Sequence, residues 1–103
     1  MIILGKVKEI YKDNSLPSIR DIIAEKPPVY KEQILKYLKN GKRGAVAVGY
    51  ANDVITGERI PGELYCLSDD EYGWRSDTIY YFEKYNMALD PEFIKKVGGH
   101  YDE

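Results

Sequence analysis

The residues best able to do chemistry sit together in one stretch, Ser68 to Asp77, SDDEYGWRSD. It sets Asp69, Asp70 and Glu71 in a row, followed by Tyr72, Trp74, Arg75 and Asp77. Carboxylates in such a cluster could share a hard cation, move a proton, or meet a basic partner. Each chemistry demands companions, and most of these are missing. With one histidine, His100, and one cysteine, Cys66, the chain cannot furnish an ordinary zinc site. The acids do not alternate around a central glycine and end in glutamate, as a calcium loop requires. A Ser–His or Cys–His pair would depend on His100, in a Gly-rich tail that holds it poorly. Neither GKRG nor GERIPG has the spacing of a phosphate loop. The expectation is a chain with no metal, no cofactor and no catalytic residue.

What remains is recognition. Ten tyrosines stand against two phenylalanines and one tryptophan. Tyr and Trp dominate binding hot spots, and a tyrosine hydroxyl wants water or a partner at its tip. Trp74 is read two ways: as an anchor between sheet and helix, or as a contact residue. Tyr80 and Tyr81 are consecutive on an expected helix, about 100° apart, so both cannot face the core fully. The candidate partner-binding set is Asp69, Asp70, Glu71, Tyr72, Trp74, Asp77, Tyr80 and Tyr81. Cys66 is expected to pack as a small hydrophobe.

The elements that must position these residues follow from pattern. Ser18 and Asp21 resemble a capping box, Ile19, Ile22 and Ile23 share a helical face, and Pro27-Pro28 ends that helix. In VYKEQILKYLKNG, Tyr30, Ile34, Leu35 and Leu38 form an apolar stripe, Lys31, Lys36 and Lys39 lie outside, and Asn40-Gly41 stops it. The period then changes. Gly44–Tyr50 and Arg59–Leu67 read as a hairpin with a long connection rich in turn formers, and Gly57 and Gly62 point to a turn and a bulge. A short third strand is expected over Tyr72–Arg75. Ser76 is read as the N-cap of a helix carrying Ile79 and Phe82 inward. MALD is a loop, and Asp90-Pro91 opens a last helix with Phe93, Ile94 and Val97 inward. Residues 1–14 are ambiguous and are read as helix; residues 98–103 are expected to fray. The fold class is α+β: one domain over 1–103, a small antiparallel sheet (hairpin plus short third strand) packed with about four helices.

Bulk properties narrow the class. A chain of 103 residues with 44% hydrophobic residues can bury one core without staples. No run approaches the roughly 20 apolar residues of a membrane span, and MIILG is too short for a signal peptide core. With one cysteine and no internal disulfide, the expectation is a soluble, cytoplasmic protein without a membrane partner. The net charge of −2, from 15 basic and 17 acidic residues, is not that of a general nucleic-acid binder. Its distribution is polar: residues 26–43 hold six Lys/Arg against one Glu, whereas residues 69–77 hold four carboxylates and one Arg. Two helices followed by a hairpin also fit a winged-helix DNA-binding regulator, with Lys31, Gln33, Lys36 and Lys39 on the recognition helix. Against that reading, the wing over Asn52–Glu58 carries two acids and no base.

Residues 18–97 resemble small bacterial immunity proteins of polymorphic and contact-dependent growth inhibition toxin systems. The likeness is carried by D-V-x-T-G-E-x-I-x-G-E-L (Asp53 to Leu64), by Trp74-Arg75-Ser76-Asp77, and by Tyr80-Tyr81 with Glu83-Lys84-Tyr85. The resemblance implies a cytoplasmic, non-catalytic inhibitor that binds a cognate toxin domain. If that toxin is a nuclease, its substrate channel is basic, and an acidic-aromatic surface would complement it.

Overall fold

A computed structural model describes residues 1–46 and 49–98, leaving out the side chains of Ala45 and Val46. The elements are β1 (Ile2–Ile3), α1 (Lys8–Tyr11), a 3-10 turn (Ile19–Asp21), α2 (Lys31–Lys39), β2 (Lys42–Val46), β3 (Tyr65–Ser68), β4 (Tyr72–Arg75), α3 (Ser76–Tyr85) and α4 (Pro91–Gly98). The sheet order is β1-β4-β3-β2. The three antiparallel strands fall at the expected hairpin and third strand, with Leu67 opposite Trp74 and Cys66 opposite Arg75; but the second hairpin strand, read over Arg59–Leu67, is strand only over Tyr65–Ser68, and its first part makes a single bridge from Arg59 to Asn52. A fourth strand joins them: β1 runs parallel to β4, so the sheet is mixed. Its ladder bonds run from Ile2 N–H to the Glu71 carbonyl (3.0 Å) and from Leu4 N–H to the Gly73 carbonyl (2.8 Å). Two residues are too few to show a period of two, so the helical reading of this segment fails where tertiary pairing decides. Only Lys8–Tyr11 is helical there.

Alternation along β4 divides the sheet into two faces. Tyr72 and Trp74 point to the helical side, where Phe93 of α4 meets both rings edge-on or tilted at 5.1 and 5.9 Å. The Trp74 indole N–H donates to the Leu38 carbonyl of α2 at 3.1 Å. Gly41 makes that approach possible, because a Cβ there would lie 2.5 Å from the Trp74 ring. The α2 stripe is realised: Ile34 and Leu38 are fully buried, with Tyr30 and Leu35 half-buried. The other face carries Gly73, Arg75 and Cys66. Gly73 accommodates the Met1 sulfur, which would lie 2.7 Å from an added Cβ. Cys66 is exposed on this outer face, contrary to the expectation that it packs inside.

Two further expectations change for local reasons. The helix read over residues 18–26 shrinks to one 3-10 turn, because the backbone beyond it is claimed by tertiary bonds. Ala24 N–H donates to the Tyr85 carbonyl and Ala88 N–H to the Ile22 carbonyl. Ser18 does cap, accepting from Arg20 N–H, while the Glu9 carboxylate takes both the Ser18 hydroxyl and the Ile19 N–H. Ser76 is the first residue of α3 rather than its N-cap; Arg75 holds that position without a side-chain bond. The Ser76 hydroxyl instead accepts from Tyr65 N–H and donates to the Glu63 carbonyl, tying the helix start to the entry of β3. The last helix begins as read, with Asp90 accepting from Glu92 N–H at 2.9 Å. Met87 and Leu89 of the MALD loop are core residues. The strand read over 44–50 begins earlier, at Lys42, is described as far as Val46, and does not include Gly49 or Tyr50. Residues 47 and 48, and the tail from Gly99 on with His100, lie outside the described residues.

Candidate functional site

The eight residues singled out from the sequence do not form one surface. Four residues of strand, about 3.3 Å each, hold the acidic turn about 13 Å or more from the start of α3. The turn is built by Asp69. One of its carboxylate oxygens accepts Glu71 N–H (3.0 Å) and Tyr72 N–H (2.6 Å); the other accepts the Tyr37 hydroxyl (2.6 Å) and the Lys96 ammonium (3.0 Å). Burial alone would raise its pKa, but these donors outweigh it and hold the carboxyl far below the usual range. Asp70 takes the left-handed conformation, φ 78°, that lets the chain reverse. Only Asp70 and Glu71 are exposed here, and each already faces a cation: Lys42 at 3.6 Å and Lys96 at 2.7 Å.

Tyr72 and Trp74 lie between the two ends, 3% and 1% exposed, so they belong to the core and not to a contact surface. Asp77 is equally buried, and the Arg75 guanidinium grips it through two parallel bonds of 3.0 and 2.7 Å. Burial pushes its pKa up, and Arg75 opposes the rise. Such a pair is costly to break from one side, since the remaining charge is left buried alone.

On α3 the two consecutive tyrosines divide as their spacing requires. Tyr81 is 1% exposed and its hydroxyl is pinned in the 52–60 loop, accepting Val54 N–H and donating to the Asn52 carbonyl. Burial pushes it up to about 12. Tyr80 is half-buried and donates to Asp53. Asp53 is the residue that the site reading missed. It is buried, and four donors converge on it: Ile55 N–H (2.7 Å), Thr56 N–H (3.1 Å), Tyr80 OH (2.8 Å) and Tyr85 OH (2.6 Å). Burial would raise this carboxyl, yet the bonds from Tyr85, Ile55, Tyr80 and Thr56 bring it down to about 2. The sequence signal was local: Asp53, Thr56 and Gly57 are the residues of an Asx turn, and Gly57 N–H does close back on the Asp53 carbonyl. The partners on α3 were not legible, because they lie 27 and 32 residues away.

Beside this anchored loop runs an open groove of about 790 Å³, between the 60–65 segment and α3. Tyr65, Tyr80, Glu63 and Glu83 line it, with Arg43 and Lys39 at its edge. Arg43 stacks on Tyr65 at 3.9 Å, and Lys39 faces Glu83 at 3.7 Å with both side chains half-exposed. Glu63 makes no ion pair among the described residues. Asp77 and Tyr80 are the two sequence candidates that reach this groove.

Of the helix pair expected for a winged helix, the first is a 3-10 turn, and on α2 the candidate residues Gln33, Lys36 and Lys39 are exposed while Lys31 is half-buried. Lys31 donates to the Glu83 carbonyl and to Asn86, Gln33 donates to the Val97 carbonyl, and Lys39 faces Glu83. Among the described residues no helix is long and apolar enough to cross a membrane, and no group of three or more His, Cys, Asp or Glu is placed to hold a metal ion. No protein-family model matches the chain, and neither a curated protein nor a solved structure matches it. The immunity-protein resemblance therefore rests on its own residues.

Proposed function

We propose that this chain is a non-catalytic, cytoplasmic inhibitor of the immunity type, which neutralises a bacterial toxin domain by binding it through the groove beside α3. The observation that carries this reading is the contrast between two sets of carboxylates. Asp53, Asp69 and Asp77 are committed to internal donors. Glu63, in no ion pair among the described residues, and Glu83, which faces only the half-exposed Lys39 at 3.7 Å, stand at an open groove with the half-exposed rings of Tyr65 and Tyr80. An unpaired acid, and one held only by a loose exposed pair, can turn to a basic surface and speed encounter, and tyrosines with one wet edge supply contact area at low entropic cost. The reading relocates the docking face from the acidic turn to the groove.

The test is growth protection in bacteria producing the toxin domain encoded beside this chain's gene, with co-purification of the pair. The wild-type chain should protect and co-purify. Glu63→Lys with Glu83→Lys should abolish protection, whereas Asp70→Lys with Glu71→Lys should leave it. No protection by the wild-type chain, or full protection by the Glu63/Glu83 variant, would overturn the proposal.

A further inference from the structure

The helical layer of the fold stops short of the sheet's edge. α3 packs on β3 and β4. On β3, Tyr65 lies two residues before buried Leu67, and Arg43 of β2 pairs with Leu67, so both side chains belong to the helical side of the sheet. The groove beside α3 is a strip of that side which, among the described residues, no helix covers. Its floor is apolar, with Ile60 and Ile79 buried and Ala51 and Leu64 half-buried.

Two kinds of segment can fill such a strip, a strand or a helix, and the walls favour the helix. An added strand must be paired through its backbone. On one wall α3 closes its own backbone bonds, and on the other the amides are engaged elsewhere. Ile60 N–H donates to the Ala51 carbonyl (2.9 Å), Leu64 N–H to the Gly49 carbonyl (3.2 Å) and Tyr65 N–H to the Ser76 hydroxyl (3.1 Å), while Pro61 has none. Of the 60–65 amides, at most those of Gly62 and Glu63 are left for a new ladder. A helix satisfies its own backbone and needs only a groove of side chains.

The acids set the spacing. The Glu63 carbonyl accepts the Ser76 hydroxyl, which places Glu63 by the first residue of α3, and Glu83 lies seven residues further along that helix. At 1.5 Å per residue these two stations are about 10 Å apart. Bases at i and i+7 of an incoming helix span the same distance, and apolar residues at i+3 and i+4 fall between them, over Tyr65 and Tyr80. Lys39 and Arg43 at the groove's edge make a uniformly basic helix a poor fit, so bases are admitted only opposite the acids. We infer that the groove is the receptor for an amphipathic helix of the partner, about two turns long, whose apolar face lies between two bases. The inference rests on the proposed docking at this groove, and it names the element that is docked.

The test needs no toxin. The probe is an alanine-based peptide of about 14 residues, stapled because a free helix of that length is marginal. It carries two lysines seven residues apart, with leucines three and four residues after the first. It is titrated by NMR into the isotope-labelled chain beside three controls: the same residues scrambled around the helix, a version with glutamate in place of lysine, and an unstapled strand-forming peptide of alternating lysine and valine. The Tyr65, Ile79 and Tyr80 signals should shift saturably with the first peptide, at about tenfold higher affinity than with any control. Glu63→Lys with Glu83→Lys should invert the order of the lysine and glutamate peptides, a gain that misfolding could not produce. No saturable shift, equal binding of the scrambled peptide, tighter binding of the strand peptide, or an unchanged order in the charge-reversed chain would overturn the inference. Self-association of the chain alone that moves the same signals would overturn it too. Each of these results leaves the groove reading standing, since growth protection is measured separately.

Discussion

Asp53→Ala tests how the second half of the hairpin is held. The substitution removes the acceptor of four donors, two amides and two phenols, at 2.6 to 3.1 Å. Bonds to an ionised acceptor contribute about 1.5–3 kcal/mol each. Thr56 is exposed, so its amide regains water; Ile55, Tyr80 and Tyr85 are half-buried, and their donors regain it only in part. Counting the half-buried donors as about two full bonds gives a loss of about 3–6 kcal/mol. In a domain of this size that lowers Tm by roughly 15–30 °C. Asp53→Asn keeps an acceptor for the amides and should lose about half as much. The pH dependence has a definite sign. The carboxyl is depressed from 3.8 to about 2 in the folded chain, so its stabilisation is complete above the ordinary value and is lost as pH falls through about 2. Thermal melts of wild type and Asp53→Asn should therefore differ by a constant gap from neutral pH to about pH 5, narrowing below about pH 4. An alanine variant melting within about 3 °C of wild type would refute the reasoning, as would a gap unchanged down to about pH 2.

The acidic turn should split on substitution. Asp69→Ala, which removes the acceptor of a half-buried phenol and two turn amides, should cost about 2–3 kcal/mol by denaturant melts, whereas Asp70→Ala, about four-fifths exposed, should stay within about 0.5 kcal/mol. Trp74→Ala should cost about 3–5 kcal/mol in the same assay, because it empties a fully buried site and removes the bond to Leu38. Cys66, being exposed, should react stoichiometrically with a thiol reagent in the folded protein at the rate of a free peptide thiol; a reaction that waits for denaturant would place it inside.

Much of the fold could be read along the chain because its signals were local. The α2 stripe, the hairpin turn at Asp53–Gly57, the third strand and the Asp90-Pro91 helix start each depend on neighbours within one or two turns. The failures share the opposite cause. Ile2–Ile3 became a strand because β4 offered it an edge, and residues 22–24 left their helix because the end of α3 claimed their backbone. The site reading misjudged a density of charge for exposure. Asp69 and Asp77 follow one another in a polar stretch, yet each is withdrawn by donors that sequence spacing does not reveal: Tyr37 and Lys96 for one, Arg75 in a buried setting for the other. Tyr80 and Tyr81 were separated correctly by helical geometry. The groove went unseen because its walls come from segments about 15–20 residues apart, and their meeting depends on Ser76 stitching α3 to the entry of β3.

Where a partner touches the chain is the most direct measure of a docking face at the groove. An NMR titration of the isotope-labelled chain with the toxin domain proposed as its partner gives that footprint. Perturbations centred on Glu63, Tyr65, Tyr80 and Glu83, with the Asp70–Glu71 turn unmoved, are the predicted result. A footprint on that turn with a silent groove would contradict the account.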